Sequence, residues 1–133
     1  MKLGGIGMLV KIKRACNEGE YNINGHKYEV DSLRTSLYDY INMDENNVCI
    51  YDKHKIHTSI KNIDSKDILG KIISFDKEYI YVEIYSVSKF NAIEEPIALL
   101  SLDCDIMDRT YMVHKVNKIV KIEIGSNKEL NII

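Results

Sequence analysis

The chain has 133 residues, of which 45% are hydrophobic and 29% charged, enough for one domain with a buried core and too apolar for a disordered chain. The formal net charge of −2 excludes a strongly basic protein that binds nucleic acid or anionic membranes nonspecifically. No stretch approaches the roughly 20 apolar residues of a membrane span, so we expect one domain over residues 1–133 and no membrane partner.

The chain begins with a glycine-rich segment, residues 1–7, which includes Gly4 and Gly5. A phosphate-binding glycine loop would follow a strand and open a helix, and no strand precedes this segment. The codons of the two glycines can instead form a purine-rich ribosome-binding sequence, and Met8 follows at the spacing of a bacterial start codon. We therefore expect Met8 to be the natural start and residues 1–7 to be a translated leader.

Two strand signals follow this segment. Residues 8–15 alternate between apolar and basic side chains, which is typical of a half-buried strand. Asn24 and Gly25 then separate two short alternating runs within residues 21–30. Because both residues tolerate the positive φ angles of a tight turn, this segment is predicted to be a β-hairpin.

The hydrophobic period then changes to that of a helix. Four apolar residues recur at helical spacing on one face: Leu33, Leu37, Tyr40 and Ile41. The sequence predicts one helix near residues 32–42, with Asp31 or Ser32 as its N-terminal cap.

Strand patterns return after the helix and continue almost to the end of the chain. Predicted strands cover residues 48–52, 55–60, 70–75, 79–87, 97–104, 109–116 and 119–124. The first two are predicted to form a hairpin through Lys53 and His54, and the strands over 70–75 and 79–87 form the clearest predicted hairpin. Residues 88–95 are predicted to be a loop, and Pro96, which lacks a backbone donor, suits the first residue of a strand. About eight or nine short strands predict a mainly β (α+β) fold, either a small antiparallel barrel or a curled sheet.

Metal-ligating residue types are present without a recognisable zinc pattern. His54 and His57 are three residues apart, which would place them on opposite faces of a strand. Asp103, Asp105 and Asp108 could hold a cation or could cap a turn, and the sequence leaves these alternatives open. We expect neither a metal nor a cofactor.

The cysteines also lack a functional pattern. Cys16, Cys49 and Cys104 are odd in number and far apart, which indicates free thiols in a reducing compartment. Cys104 could meet His114 across a hairpin, but no glycine elbow marks a nucleophile there. With no secretory signal before Lys11, we expect a cytoplasmic protein without catalytic residues.

The clearest candidate for function is a row of tyrosines within residues 79–85, where alternation sends isoleucine and valine to one face of a strand. The predicted binding face consists of Tyr79, Tyr81, Glu83 and Tyr85. Tyrosine is favoured at protein interfaces, and aromatic rows also stack unpaired bases. The alternative is that tyrosine serves as a good strand former here and that a helix or second sheet layer covers this face.

Two basic runs are secondary candidates. One consists of Lys53, Lys55 and Lys61, with His54 and His57 among them, and the other of Lys11, Lys13 and Arg14. Exposed charge runs are usually solvated surface. Either run would support a nucleic-acid or nucleotide site only if folding brought it beside the tyrosines.

Three functional hypotheses remain. Abundant Ile, Lys, Asn and Tyr indicate AT-rich coding DNA, which favours an AT-rich bacterium or its phage. The first hypothesis is a small non-enzymatic binding protein, encoded by a phage or mobile element, that occupies the surface of a partner protein and, for example, inhibits a host defence system. The second is a small-barrel binder of single-stranded nucleic acid or nucleotides, and the third is an enzyme without a sequence motif. Exposed strand edges also leave a homo-oligomer open.

Overall fold

The computed structural model describes residues 8–14, 18–22, 25–44, 46–55, 62–64, 68–117, 121–123 and 131–132. The strands are β1 (Met8–Lys13), β2 (Lys27–Tyr28), β3 (Asn47–Asp52), β4 (Asn62–Asp64), β5 (Ile68–Phe75), β6 (Tyr79–Ile84), β7 (Pro96–Met107), β8 (Thr110–Asn117), β9 (Lys121–Glu123) and β10 (Asn131–Ile132). The helices are α1 (Val30–Ile41) and α2 (Val87–Asn91), and a 3-10 turn covers Lys53–Lys55.

The main sheet is an open, curled sheet with the order β1-β6-β5-β3-β7-β8-β2, and β10 pairs with β7. Its strands are antiparallel except for β2, which runs parallel to β8. A separate pair joins β4 to β9. The curl brings β1 near β7 without pairing the two strands. The predicted mainly β (α+β) fold is confirmed as a curled sheet, and the antiparallel barrel does not form among the described strands.

Helix α1 confirms the predicted helix and covers one face of the sheet. Its buried residues Leu33, Leu37 and Tyr40 pack against β8 and β5 and join the main hydrophobic core. The Ser36 hydroxyl donates to the Val113 carbonyl oxygen at 3.4 Å, which ties the buried side of the helix to β8. The apolar stripe read from the sequence is therefore the stripe that the sheet buries.

The predicted cap of α1, Asp31 or Ser32, is wrong by two or three residues. Glu29 is the cap, because its carboxylate accepts the backbone N–H groups of Asp31 at 3.0 Å and Ser32 at 2.8 Å. These bonds hold the pKa of the Glu29 carboxyl below its ordinary value. Ser32 instead accepts the Val113 backbone N–H at 3.1 Å, so its hydroxyl joins the helix to β8.

The hairpin of β5 and β6 confirms the strongest hairpin prediction. The Asp76 carboxylate closes its turn by accepting the backbone N–H groups of Glu78 and Tyr79, both at 2.8 Å. Within β5, a Cβ on Gly70 would lie 2.3 Å from the Glu83 carbonyl oxygen. Glycine is therefore required where β5 passes closely under β6.

The predicted hairpin over residues 21–30 is wrong. Gly25 has φ +78° and a turn does form, since the Asn22 backbone N–H donates to the His26 carbonyl oxygen at 2.6 Å; Asn24 lies outside the described residues. However, β2 pairs with β8 instead of folding back on the chain before the turn. Burial explains this choice, because Tyr28 is 5% exposed and its ring stacks on Tyr111 with centroids 5.5 Å apart.

Three further segments differ in part from expectation. The partners of β3 among the described strands are β5 and β7. Of the partner strand predicted over residues 55–60, Lys55 belongs to the 3-10 turn, and residues 56–60 lie outside the described residues. The predicted loop over residues 88–95 contains α2, and Phe90 and Ile93 pack against the core. Pro96 opens β7 as predicted, while β7 runs on to Met107. Residues 1–7, the predicted leader, are also outside the described part of the chain.

Candidate functional site

The two faces of β6 differ as the alternation predicted. Ile80, Val82 and Ile84 are fully buried in the core. Their neighbours point to the side of the sheet opposite α1, which we call the outer face. It carries the side chains of Leu9, Lys11, Lys13, Lys71, Ser74, Tyr79, Tyr81, Glu83 and Tyr85. Ile73 is exposed at the bulge of β5, between the buried Ile72 and the exposed Ser74. Helix α1, which packs on the core side, does not cover the predicted tyrosine face.

The register of the strands fixes which side chains are neighbours on the outer face. Leu9 of β1 lies opposite Glu83 of β6, and Glu83 lies opposite Lys71 of β5. One step along, Lys11 lies opposite Tyr81. Cross-strand partners of this kind are close enough for their side chains to interact. The outer face is therefore one surface contributed by β1, β6 and β5.

Two lysines of β1 lie against the tyrosine row. The Lys11 and Lys13 ammonium groups are 4.5 Å and 5.2 Å from the centroid of the Tyr79 ring, within the range of cation–π interactions. Folding therefore brings part of this basic run beside the tyrosines. Arg14 does not join them, because it is buried and its guanidinium donates to Glu18 at 3.2 Å.

The charges of the outer face nearly balance. With the turn between β5 and β6 included, it has four lysines, Lys11, Lys13, Lys71 and Lys77, and three carboxylates, Asp76, Glu78 and Glu83, a net charge of +1. Lys13 pairs with Glu78 at 3.3 Å, and Lys71 lies 4.0 Å from Glu83. Lys11 forms no ion pair with any described residue.

Two of the tyrosines use their hydroxyl groups within the protein. Tyr81 donates to the Asp76 carboxylate at 2.6 Å, which raises the pKa of Tyr81 and lowers the pKa of Asp76. Tyr85 donates to the Asn47 side-chain oxygen at 3.1 Å, and its partial burial raises its pKa. The phenol hydroxyls are thus held, while the ring surfaces remain on the outer face.

Exposed apolar side chains surround the tyrosines. Leu9 is 66% exposed, Tyr85 48% and Ile73 40%. Sequence reasoning selected Tyr85 but missed Leu9 and Ile73. Alternation within β1 could have placed Leu9 on a polar face, but only the pairing of β1 with β6 places it beside Glu83.

The described side chains of the other basic run, those of Lys53 and His54, are not brought to the tyrosines. Lys53 and His54 both pair with Glu95, at 3.7 Å and 3.0 Å. They follow the end of β3 away from Asn47, and six strand residues span roughly 20 Å. Lys61 and the side chain of Lys55 lie outside the described residues.

The carboxylates of the β7–β8 hairpin form no cation site in the described part of the chain. Asp105 is bonded to His114 at 2.7 Å, and both side chains are largely exposed. No group of three or more His, Cys, Asp or Glu among the described residues is placed to hold a metal ion.

Cys104 lies opposite Val113 in the register and packs against the core, so it does not face the exposed His114.

A groove of about 340 Å³ lies between α1 and β8. Its lining residues are Ser36, Asp39, Tyr40, Met43, His114, Lys115 and Val116. An exposed carboxylate holds His114 as it would hold a catalytic base, but the Ser36 hydroxyl in this groove donates to a backbone carbonyl and not to that imidazole. The groove therefore ranks below the outer face as a candidate.

Compared with protein-family models, with curated proteins and with solved structures, the chain matches none of them. Neither α1 nor α2, the helices in the described part of the chain, has the length and apolar character needed to cross a membrane. The geometry of the outer face is therefore the basis for inferring a function.

Proposed function

We propose that this chain is a non-enzymatic protein-binding module that contacts its partner through the outer face of β1, β6 and β5. The observation that carries the proposal is the group of exposed apolar side chains, Leu9 and Tyr85 on the face that also holds Tyr79 and Tyr81, and Ile73 at the bulge of β5. Exposed apolar surface of this kind is a feature of interaction sites.

The composition of the face suits a protein partner better than a nucleic acid. Protein interfaces combine aromatic and apolar centres with a polar rim. Here the rings and apolar chains lie among ion pairs such as Lys13–Glu78 and Lys71–Glu83. A phosphate backbone would require a strongly positive surface, and the net charge of +1 does not provide it.

Binding of this kind acts by occupying a surface of the partner protein. A chain that carries such a face on a small sheet can block a larger protein without any chemistry of its own. Inhibition of a host defence system by a phage-encoded or mobile-element-encoded protein in the bacterial cytoplasm is one form that this activity would take. We propose that form because abundant Ile, Lys, Asn and Tyr indicate AT-rich coding DNA, which favours such an origin.

Capture of the partner from bacterial lysate tests the proposal. Leu9→Glu and Tyr85→Glu place charge at exposed positions of the face, so both variants should fold normally and lose the partner. Met107→Glu is the matched control, because Met107 is 81% exposed at the tip of the β7–β8 hairpin. A partner that is captured equally by all three variants would exclude the outer face as the binding site.

A second candidate, binding of single-stranded nucleic acid, is favoured by the position of Lys11 and Lys13 over the Tyr79 ring. It predicts that a fluorescently labelled oligonucleotide binds at low salt and dissociates as salt is raised. Tyr79→Ser should weaken this binding by removing the ring on which a base would stack. No change in fluorescence anisotropy at low salt would exclude this candidate.

A further inference from the structure

Strand β1 lies at one end of the strand order of the main sheet, and among the described strands it pairs with β6. The Arg14 backbone N–H donates to the Glu78 carbonyl oxygen at 2.7 Å. This bond shows which residues of β1 have backbone groups that point toward β6 and which have groups that point away. Because the direction of the backbone groups alternates along an antiparallel strand, the backbone groups of Val10 and Ile12 bond to β6. The backbone N–H and C=O groups of Leu9, Lys11 and Lys13 therefore point away from β6, toward the edge of the sheet.

No described strand pairs with this edge of β1, although the curl of the sheet brings part of β7 near β1. The edge presents a row of backbone donors and acceptors that an extended chain can use. On the core side, Met8 and Val10 are only half-buried, whereas Ile12, further along the strand, is 2% exposed. The apolar core is therefore less completely covered at the start of β1 than at its end.

We propose that the partner protein adds an extended segment to this edge as a β-strand, with a carboxylate opposite Lys11 and an apolar side chain opposite Leu9. The proposal rests on the proposed function, since it assigns the segment through which the partner is held. Lys11 supplies the charge selectivity because it is exposed and forms no ion pair with a described residue. Apolar side chains on the other face of the segment would complete the core beside Val10.

The same charges disfavour a second copy of this chain as the occupant. Pairing β1 with β1 would gather both copies' Lys11 and Lys13 along one new strand pair. Like charges directly opposite one another destabilise a β-pair, and edge lysines commonly prevent such self-association. A partner strand that carries a carboxylate at this position reverses the effect.

The test uses the full chain and a synthetic peptide, Thr-Val-Glu-Val-Leu-Val-Thr, which in antiparallel register places Glu opposite Lys11 and Leu opposite Leu9. Amide hydrogen exchange followed by NMR should show fast exchange at Lys11 and Lys13 in the free protein and slow exchange at Val10 and Ile12. Saturating peptide should slow the Lys11 amide at least tenfold, because that N–H becomes part of a ladder.

Two substitutions at Lys11 separate charge from backbone pairing. Lys11→Gln removes the charge alone and should weaken peptide binding about fivefold, as expected for a partly exposed ion pair. Lys11→Pro also removes the N–H that points to the edge, which β6 does not use, and should weaken binding at least tenfold further. Lys11→Glu should instead prefer a peptide in which Lys replaces Glu.

Each contrary result has a distinct meaning. Slow exchange of the Lys11 amide in the free protein, in monomer or dimer, would show that the edge is already occupied and would overturn the proposal. Failure of the peptide to bind would also overturn it, and so would equal binding by Lys11→Gln and Lys11→Pro. If the lysate partner were still lost on Leu9→Glu in these cases, the outer face would stand as the binding site without strand addition. If that variant kept the partner, both proposals would fail.

Discussion

Arg14 is the residue at which burial and charge are in strongest conflict. Its side chain is 3% exposed, and its guanidinium donates to Glu18 at 3.2 Å and to the Asp76 carbonyl oxygen at 3.0 Å. The Nε atom has no hydrogen-bond partner among the described residues. Glu18 also accepts from Arg34, so one carboxylate compensates two guanidinium groups. The last residue of the basic run is therefore structural, and its charge is not available on the outer face.

The dependence of Arg14 on Glu18 can be measured. Glu18→Gln should lower the free energy of unfolding by about 3 kcal/mol, because a neutral side chain leaves the buried guanidinium without its counter-charge. Glu78→Gln is the matched control: its ion pair with Lys13 is exposed, and its loss should cost below about 1 kcal/mol. Urea unfolding followed by circular dichroism measures both values. Equal losses in the two variants would show that the Arg14 pair contributes no more than a surface pair.

At the scale of the element, the turn between β7 and β8 carries backbone strain. Asp108 and Arg109 have φ angles of 51° and 62°, the left-handed region that a tight two-residue hairpin turn requires. Asparagine and glycine suit these positions, and arginine does not. The Arg109 carbonyl oxygen accepts the Lys27 N–H at 2.9 Å, so the turn also anchors β2.

Arg109→Gly should therefore stabilise the protein by roughly 0.5–1 kcal/mol, the cost of the left-handed conformation less the greater freedom of glycine when unfolded. The carbonyl that anchors β2 is kept. Arg109→Ala serves as the control, because it removes the side chain and retains the strain. The midpoint of urea unfolding should rise for glycine and stay near wild type for alanine. A lower midpoint for the glycine variant would indicate that the arginine side chain itself stabilises the turn.

Local patterns were sufficient to predict α1 and the β5–β6 hairpin. Leu33 and Leu37 are one helical turn apart, and β5 and β6 are joined by a turn centred on Asp76, so the partners in both elements lie close in sequence. The pairing of β2 depends on Tyr111, more than 80 residues later, and no local signal announces it. Asn24–Gly25 is a strong hairpin signal, but the burial of Tyr28 against Tyr111 outweighs it.

The same distinction applies to the candidate site. A single strand was enough to predict the row of Tyr79, Tyr81, Glu83 and Tyr85, because alternation is a local property. Its neighbours Leu9 and Lys11 precede the row by about 70 residues and join it through the β1–β6 register. The sequence did not predict the ion pair of Lys53 either, since its partner Glu95 lies about 40 residues later, just before β7.

At the scale of the whole molecule, stability should depend on carboxylates that the fold keeps ionised. The pKa of Glu18 is lowered by Arg34 and Arg14, that of Glu29 by the helix N–H groups, and that of Asp76 by the Tyr81 hydroxyl and the turn N–H groups. A group whose pKa is lower in the folded state stabilises it above the unfolded-state pKa. That contribution is lost as pH falls through the folded-state value.

The free energy of unfolding should therefore be nearly constant from neutral pH down to the ordinary carboxyl pKa and should fall below it. Tyr81 and Tyr85, whose pKa values are raised, cause a second loss of stability at alkaline pH. Their contribution is complete below the ordinary tyrosine pKa and is lost as pH rises through the folded-state values. Urea unfolding at a series of pH values measures the loss of stability at acid pH and at alkaline pH.

Two variants assign the loss of stability at acid pH to particular groups. Glu18→Gln and Tyr81→Phe should each reduce the difference in unfolding free energy between neutral and acid pH. The first variant removes a titrating carboxylate, and the second removes the hydrogen bond that lowers the pKa of Asp76. An unchanged loss of stability at acid pH in both variants would place the linkage elsewhere. The remaining causes of acid unfolding would then be Glu29, whose pKa the helix N–H groups lower, and repulsion among the 18 lysines and arginines once the carboxylates are protonated.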